Sequence, residues 1–231
     1  MIKHKQYRFL NHFWVKESGL SGMLVLLFIM QFILIPLFSN YSFFRVVLNL
    51  FWMLFLMAGI FSLAATKRQA IRISIIPFLF IVFRWIDVFY PIPFVILAEI
   101  LLTVCTFSLL IVLVFMKVFE PGPITVYRVI GSVVVYMLLA NLWSVVYLFL
   151  YEHIEGSFQL TLPAFELNSL QANFLYFSYI TITTTGFGEI VPLHPIARSL
   201  VQVEALTGVL YPVVLIGRLV SDVNTANKEK K

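Results

Sequence analysis

The residues with the clearest chemistry lie in one segment, 181–190, which reads TITTTGFGEI. In an extended strand successive carbonyl groups alternate in direction, so aligning a row of them requires residues with positive φ, which glycine adopts without penalty. Gly186 and Gly188 are placed to supply that conformation. Rings of carbonyl oxygens can replace the hydration shell of a potassium ion. Because one chain supplies one row, a closed ring of four requires four copies around a symmetry axis.

Three charged residues lie well away from the ends of apolar runs, where an unpaired charge is expensive: Arg84, Glu99 and Glu204. Arg84 lies six residues before the end of the third span and Glu99 six residues into the fourth, so an antiparallel hairpin with its tight turn at 91–93 places them at similar depth. We expect them to form an ion pair, with Asp87 as a competing partner for Arg84. The alternative is that both side chains reach water separately. Glu204 is expected to face a cavity or the back of the short helix that precedes segment 181–190, rather than lipid, with a threonine hydroxyl as its partner.

A second group of polar residues could bind a metal, since histidine and glutamate three or four positions apart can bind zinc on a helix. The residues are Glu152, His153, Glu155 and His194. They fall in loops beside Gly156, without a third close ligand. We favour an acidic turret that concentrates cations.

The amino-acid composition indicates which solvent surrounds this chain. Of its 231 residues, 61% are hydrophobic and 12% are charged, and the mean hydropathy is +0.98. A single water-soluble core cannot bury that much apolar surface, so lipid must cover it. The net charge of +5 comes from short clusters between apolar runs rather than from a basic stripe, which argues against nucleic-acid binding.

Six apolar runs are long enough to span a bilayer, which takes about 20 residues. They are 20–38, 46–65, 71–90, 94–118, 127–151 and 196–220. Lysine and arginine collect on one side of these spans, and the positive-inside rule makes that side cytoplasmic, with both termini on it. Arg45 and Arg198 are the basic exceptions in the opposite loops, which carry Asp87, Glu152, Glu155, Glu166 and Glu189.

The stretch between the fifth and sixth spans contains an apolar piece, 170–183, that is too short to cross. It predicts a re-entrant helix, capped by Asn168 or Ser169 with Gln171. Pro192 and Pro195 then mark the return and the start of the sixth helix. Irregular backbone at membrane depth must be buried in protein or line a wet cavity, so this placement indicates a pore.

From the fifth span to the sixth, the chain resembles the potassium channel superfamily, of the single-pore-loop, six-span type. The resemblance implies that the backbones of Thr184, Thr185, Gly186 and Phe187 bind potassium ions, that Gly188 completes the filter, and that the Thr184 hydroxyl contributes at the inner end. It also implies a homotetramer of chains, each with an all-α membrane fold of six transmembrane helices, a re-entrant pore helix and a filter loop.

Two filter residues depart from the commonest signature. Thr185 stands where valine or isoleucine is usual, so its hydroxyl needs a partner behind the filter. Phe187 stands where tyrosine is more frequent, and we expect it to pack against Tyr176 and Phe177. The family often has a carboxylate where Ile180 stands here, so Glu189 is expected to bond the Tyr176 hydroxyl instead. These residues, with Thr183, are the predicted filter support.

The sixth span contains Gly208, at the distance from Gly188 where the resemblance places a hinge of the inner helix. Pro212 would reinforce the hinge by removing a backbone hydrogen bond. The alternative is that the small residue allows close helix packing.

The resemblance and the spans predict four regions: an N-terminal segment 1–19, a four-helix bundle 20–118, a pore domain 125–222 and a short tail 223–231. The fourth span lacks the arginines of a voltage sensor, so weak or absent voltage gating is expected. The short link 117–125 contains Pro121, Gly122 and Pro123, which favours a bundle beside its own pore unit. The tail is expected to be too short for a ligand-binding domain.

The sequence therefore predicts a potassium-selective channel subunit of the plasma membrane, not an enzyme and without a cofactor. The alternatives are a channel that passes sodium as well as potassium, a non-conducting membrane subunit and a metal-binding membrane protein.

Overall fold

The computed structural model describes residues 18–38, 43–64, 66–120, 125–161 and 170–228, with side chains up to residue 218. These residues form two compact units. The first unit runs to Glu120 and includes Thr125–Val135, and the second begins at Tyr136. The predicted cap at Asn168 or Ser169 and the link residues 121–124 lie outside the described residues.

All six predicted spans are helices. Helix α1 begins at Ser18, passes through a π-helical turn at Met30–Leu34 and continues over Ile35–Phe38. The wide turn precedes Pro36, whose ring would clash with the carbonyl of Phe32 in a regular helix. The others are α2 (Phe44–Leu63), α3 (Lys67–Phe89), α4 (Pro93–Val118), α5 (Val126–His153) and the long α7 (Pro195–Lys228).

The core of the first unit is aromatic at its centre. The ring of Trp52 on α2 meets Phe55 and Phe80 edge to face, and it lies 5.1 Å from the ring of Phe107 on α4. Such pairs add to the stabilisation that burial alone gives. They join α2, α3 and α4 into one bundle.

The second unit contains a short helix, α6 (Leu170–Ile182), between two strands that the sequence did not predict. Strand β1 (Phe158–Leu160) pairs antiparallel with β2 (Ile190–Pro192), with Gln159 opposite Val191. The fold is thus mostly helical rather than wholly α. Residues from α5, β1, α6, β2 and α7 share one apolar core that includes Tyr147, Phe158, Phe174, Phe177 and Ile190.

Within the described residues, four helices are long and apolar enough to cross a membrane: Gly19–Leu37, Pro93–Val118, Val126–His153 and Pro195–Arg218. Helix α2 contributes a shorter apolar stretch, Arg45–Ile60. Helix α3 carries five charged residues, which lowers its hydropathy. These helices make the chain a multi-pass membrane protein.

Candidate functional site

The short helix α6 ends where the predicted filter begins, and the first filter residues cap it. The amide of Thr184 donates to the carbonyl of Thr181 over 2.9 Å, and the amide of Thr185 donates to the carbonyl of Ile180 over 2.8 Å. This pair of bonds is a Schellman motif, which satisfies carbonyls that a helix end leaves without partners. The amide of Gly186 adds a third bond to Ile180, at 3.0 Å.

These three bonds fix the direction of the carbonyl groups. In a trans peptide the N–H of one residue points opposite to the C=O of the residue before it. The described residues contain no cis peptide bond. Since the amides of residues 184–186 all point at the end of α6, the carbonyls of Thr183, Thr184 and Thr185 point away from it. A row of oxygens therefore faces one side of the segment.

The backbone continues this arrangement by alternation. Thr184, Gly186 and Gly188 have φ values of +60°, +57° and +91°, whereas the residues between them do not have positive φ. Alternating left- and right-handed residues place successive amides on one side of a chain, and hence successive carbonyls on the other. The positive φ predicted for the two glycines is confirmed.

The positive φ of Thr184 was missed by the sequence reasoning. A left-handed conformation costs a side-chain-bearing residue roughly 1–2 kcal/mol. Thr184 occupies the position after the helix cap, where glycine is usual, and the cap bonds hold it there. The signal that could have revealed it is its place immediately after the predicted end of a helix.

Threonine hydroxyls form a chain behind the segment. The Thr183 hydroxyl donates to the carbonyl of Tyr179 over 2.6 Å, and its oxygen lies 3.0 Å from the hydroxyl oxygen of Thr185. Because Thr183 has one hydroxyl proton and a carbonyl only accepts, Thr185 must donate to Thr183. The predicted need of Thr185 for a partner is thus met. The last helical carbonyl, of Ile182, accepts from the Tyr136 hydroxyl over 2.8 Å.

The outer end of the segment is held by the small sheet. Both the amide and the hydroxyl of Thr161, next to β1, donate to the carbonyl of Glu189 over 2.9 Å. The Tyr176 hydroxyl donates to the Glu189 carboxylate over 3.3 Å, which confirms the predicted contact. The segment is therefore fixed at both ends.

The chain does not bring Phe187 together with Phe177. The Phe177 ring is buried and lies within 5.7 Å of the Tyr147 and Phe158 rings, whereas Phe187 is 66% exposed. All of residues 183–188 are exposed in a single chain.

Glu204 lies behind α6, as predicted, and is 0% exposed. Its partners are not the expected threonine but Tyr147 of α5, which donates over 2.6 Å, and Ser178 of α6. The Ser178 hydroxyl also lies 2.8 Å from the carbonyl of Ala140. That hydroxyl has one proton, so it either shares the proton between the Glu204 carboxylate and the Ala140 carbonyl or accepts a proton from a protonated Glu204.

Gly208 packs against the end of α6. A Cβ at this position would lie 2.7 Å from the carbonyl carbon of Ile182, closer than real Cβ atoms approach backbone. This contact supports the close-packing alternative. Helix α7 continues through Pro212 without interruption, and the hinge at Gly208 and Pro212 stays a prediction.

The ion pair predicted in the first unit is present. Arg84 Nη1 lies 2.7 Å from Glu99 Oε1, and Arg84 Nε donates to the amide oxygen of Asn49 over 2.6 Å. The competing residue, Asp87, pairs instead with Arg45 at 3.9 Å.

The histidines considered as metal ligands have local partners. His153 Nδ1 lies 2.9 Å from the carbonyl of Phe149, and His194 Nδ1 accepts from the amide of Ile196 at the start of α7. In the part of the chain that the structure describes, no three potential ligands come together.

Comparison with known proteins supports the interpretation of the chain from α5 to α7 as part of an ion channel. The sequence model of a family described as ion channel matches residues 124–224, which contain α5, α6, the segment 183–188 and most of α7. No curated protein matches the chain. Residues 124–224 are thus similar to an ion channel family, which supports a channel subunit with the segment 183–188 inside the matched region.

Proposed function

We propose that this chain is one subunit of a homotetrameric channel that conducts potassium ions through a filter formed by residues 184–188. The observation that carries the proposal is the common direction of the carbonyls of Thr184 and Thr185, away from the end of α6. The alternating positive φ values extend the same row through Gly186 and Gly188.

The row accounts for permeation by exchange of ligands. A potassium ion entering the filter loses water, and rings of backbone oxygens from Thr184 to Phe187 take its place at several adjacent sites. The Thr184 hydroxyl adds a ligand at the inner end. Binding at each site is weak enough for the next ion to displace the first, so the ion moves on without an energy source.

Four copies are required because each chain provides one row of oxygens. The exposure of residues 183–188 in a single chain is in keeping with a surface that neighbouring subunits complete. In this assembly Phe187 would pack against a neighbouring subunit, since its own Phe177 is already buried elsewhere.

We infer further that each subunit spans the plasma membrane six times with both termini in the cytoplasm. Helices α2 and α3 are the two predicted spans that are not among the four found within the described residues. Their polar residues include Arg84, whose charge is paired with Glu99, which lowers the cost of placing it in lipid.

The proposal is tested by reconstituting the purified chain in planar bilayers with potassium on one side and sodium on the other. The reversal potential is expected to lie near the potassium equilibrium potential. Gly186→Ala should abolish or strongly reduce this selectivity, because alanine strains the left-handed conformation that the row requires. The matched control is Gly156→Ala, since Gly156 has a φ of +68° and equal space around it but lies outside the filter.

The same measurement separates the alternatives. A reversal potential near zero would identify a channel that passes sodium equally, and the absence of single-channel currents from intact tetramers would identify a non-conducting subunit. The Thr185 hydroxyl is bonded to Thr183 and is therefore not an ion ligand in this proposal. Since valine keeps the backbone carbonyl, Thr185→Val is expected to leave the potassium-to-sodium permeability ratio unchanged.

A further inference from the structure

An apolar groove of about 400 Å³ runs between α2 and α3 in the first unit. Met53, Met57 and Ile60 line it from α2, and Ile71, Ile75 and Phe78 line it from α3. The volume falls in the range of roughly 300–1,000 Å³ that small-molecule sites occupy. Methionine side chains adapt their shape to flexible ligands.

The walls of the groove offer a ligand almost no polar partner. Ser74 is the polar residue among those that line it, and its hydroxyl donates to the carbonyl of Ile71 on its own helix. Ile71 and Phe78 are 65% and 66% exposed. In a membrane protein these surfaces meet hydrocarbon, so the ligand's body must be apolar.

One end of the groove is marked by positive charge. Lys67 lies one helical turn before Ile71, and Arg68 and Arg72 lie at successive turns before Ile75. All three cations are exposed. The ion pairs among the described residues are Arg45 with Asp87 and Arg84 with Glu99, so none of the three cations is neutralised there.

The position of these cations breaks a rule of helix stability. Positive charge is unfavourable in the first turn of a helix, where the dipole is already positive and anions are favoured. The first turn of α3 contains Lys67 and Arg68 and has no acidic residue. A bound anion beside this turn would relieve the repulsion.

We propose that this groove binds one anionic phospholipid of the bilayer, with an acyl chain between α2 and α3 and the phosphate headgroup at Lys67, Arg68 and Arg72. The groove supplies the apolar contact and the cations supply selectivity for negative charge, as basic pockets between transmembrane helices do. The site lies wholly within the first unit and is independent of the filter.

The test is native mass spectrometry of the full-length chain in detergent, titrated with phosphatidylglycerol or with phosphatidylcholine of the same acyl chains. Wild-type protein is expected to bind phosphatidylglycerol about tenfold more tightly or better. The triple variant Lys67→Gln, Arg68→Gln, Arg72→Gln should lose that preference and retain phosphatidylcholine binding. Arg45→Gln is the matched control, because it removes an exposed charge from the other end of the same helix pair.

A second variant tests the groove itself. Ile75→Trp fills the space between the helices and is expected to weaken binding of both lipids, with circular dichroism confirming the fold. Where the triple variant fails to fold, Arg72→Gln alone should give about a fivefold loss for phosphatidylglycerol. Equal binding of the two lipids to wild-type protein, or a density map with a protein segment in the groove, would overturn the proposal. Loss of potassium selectivity in bilayers would leave this result intact.

Discussion

Glu204 is a single carboxyl group that contacts two other helices of the second unit. It lies on α7, accepts from Tyr147 of α5 and meets Ser178 of α6, six residues before Thr184. A buried polar network of this kind stabilises a structure only while every donor and acceptor in it has a hydrogen-bond partner. The carboxyl is therefore placed to position α6 and, through it, the start of the filter.

We expect Glu204→Leu to lower the thermal stability of the detergent-purified protein, because the buried Tyr147 hydroxyl then has no acceptor. The cost of one orphaned buried group is about 1–3 kcal/mol. Glu204→Gln should be milder, since its amide oxygen accepts from Tyr147 and its amide nitrogen donates to Ser178. Equal melting temperatures for the Leu and Gln variants would show that the hydrogen bonds do not position these helices.

The pair of Arg84 and Glu99 is enclosed, with side chains 13% and 17% exposed. Removing one member of such a pair typically costs about 3–5 kcal/mol, because the other charge stays buried without its partner. Arg84→Met and Glu99→Met should each lower the melting temperature, and the double variant should recover most of the loss. An additive double variant would mean that the two charges contribute separately.

At the scale of elements, the contact between α6 and α7 supports the end of α6, where the proposed filter begins. Gly208 allows the backbone of α7 to approach the carbonyl end of α6. The packing interpretation predicts that a larger residue at Gly208 lowers the stability of the protein. The hinge interpretation predicts that it changes channel opening without lowering stability.

We expect Gly208→Ala to destabilise the protein by about 1–3 kcal/mol, because the new methyl group meets backbone that cannot move aside. Gly217→Ala on the same helix meets no atom within 4 Å and should be neutral or slightly stabilising. Thermal unfolding of the two variants measures the difference. If Gly208→Ala melts no lower than wild type while its open probability changes, the hinge interpretation is correct.

The helices were predictable because their apolar runs are long and their ends are marked by proline or charge. Helix α4 begins at Pro93 and α7 at Pro195, as their sequences indicate. Strands β1 and β2 were not predictable. Each has three residues, and they pair only because the chain between them returns to the same place.

Several polar contacts could also be predicted from the sequence, because a charged residue inside an apolar run needs a partner. That argument found the contact of Arg84 with Glu99 and the burial of Glu204. It could not choose Ser178 and Tyr147 over a threonine, because all three residue types carry a hydroxyl and only the packing of α5 and α6 decides which one reaches. The expected packing of Phe187 against Phe177 is not found within one chain, because the Phe177 ring packs against Tyr147 and Phe158.

At the scale of the whole molecule, we expect the first unit to couple opening only weakly to voltage. One elementary charge crossing the membrane gains about 2.3 kcal/mol per 100 mV, so a sensor needs several mobile charges. Within the apolar body of α4 the charged residue is Glu99, and it is bound to Arg84.

We expect the open probability of the reconstituted channel to change little between −100 and +100 mV, corresponding to at most about one gating charge. Single-channel recording at fixed potassium concentration measures it. A steep sigmoidal activation curve that needs several charges would contradict this expectation.

Residues 184–188 are held by hydrogen bonds at both ends, so this stretch has no spare chain length. Its inner end is tied to Ile180 and Thr181, and its outer end to the small sheet through Glu189 and Ile190. Inserting or deleting a single residue between these two attachment points is therefore expected to shift the carbonyl oxygens out of register with those of the other subunits in the proposed tetramer. We therefore expect a side-chain change such as Thr185→Val to be tolerated more readily here than a change of length.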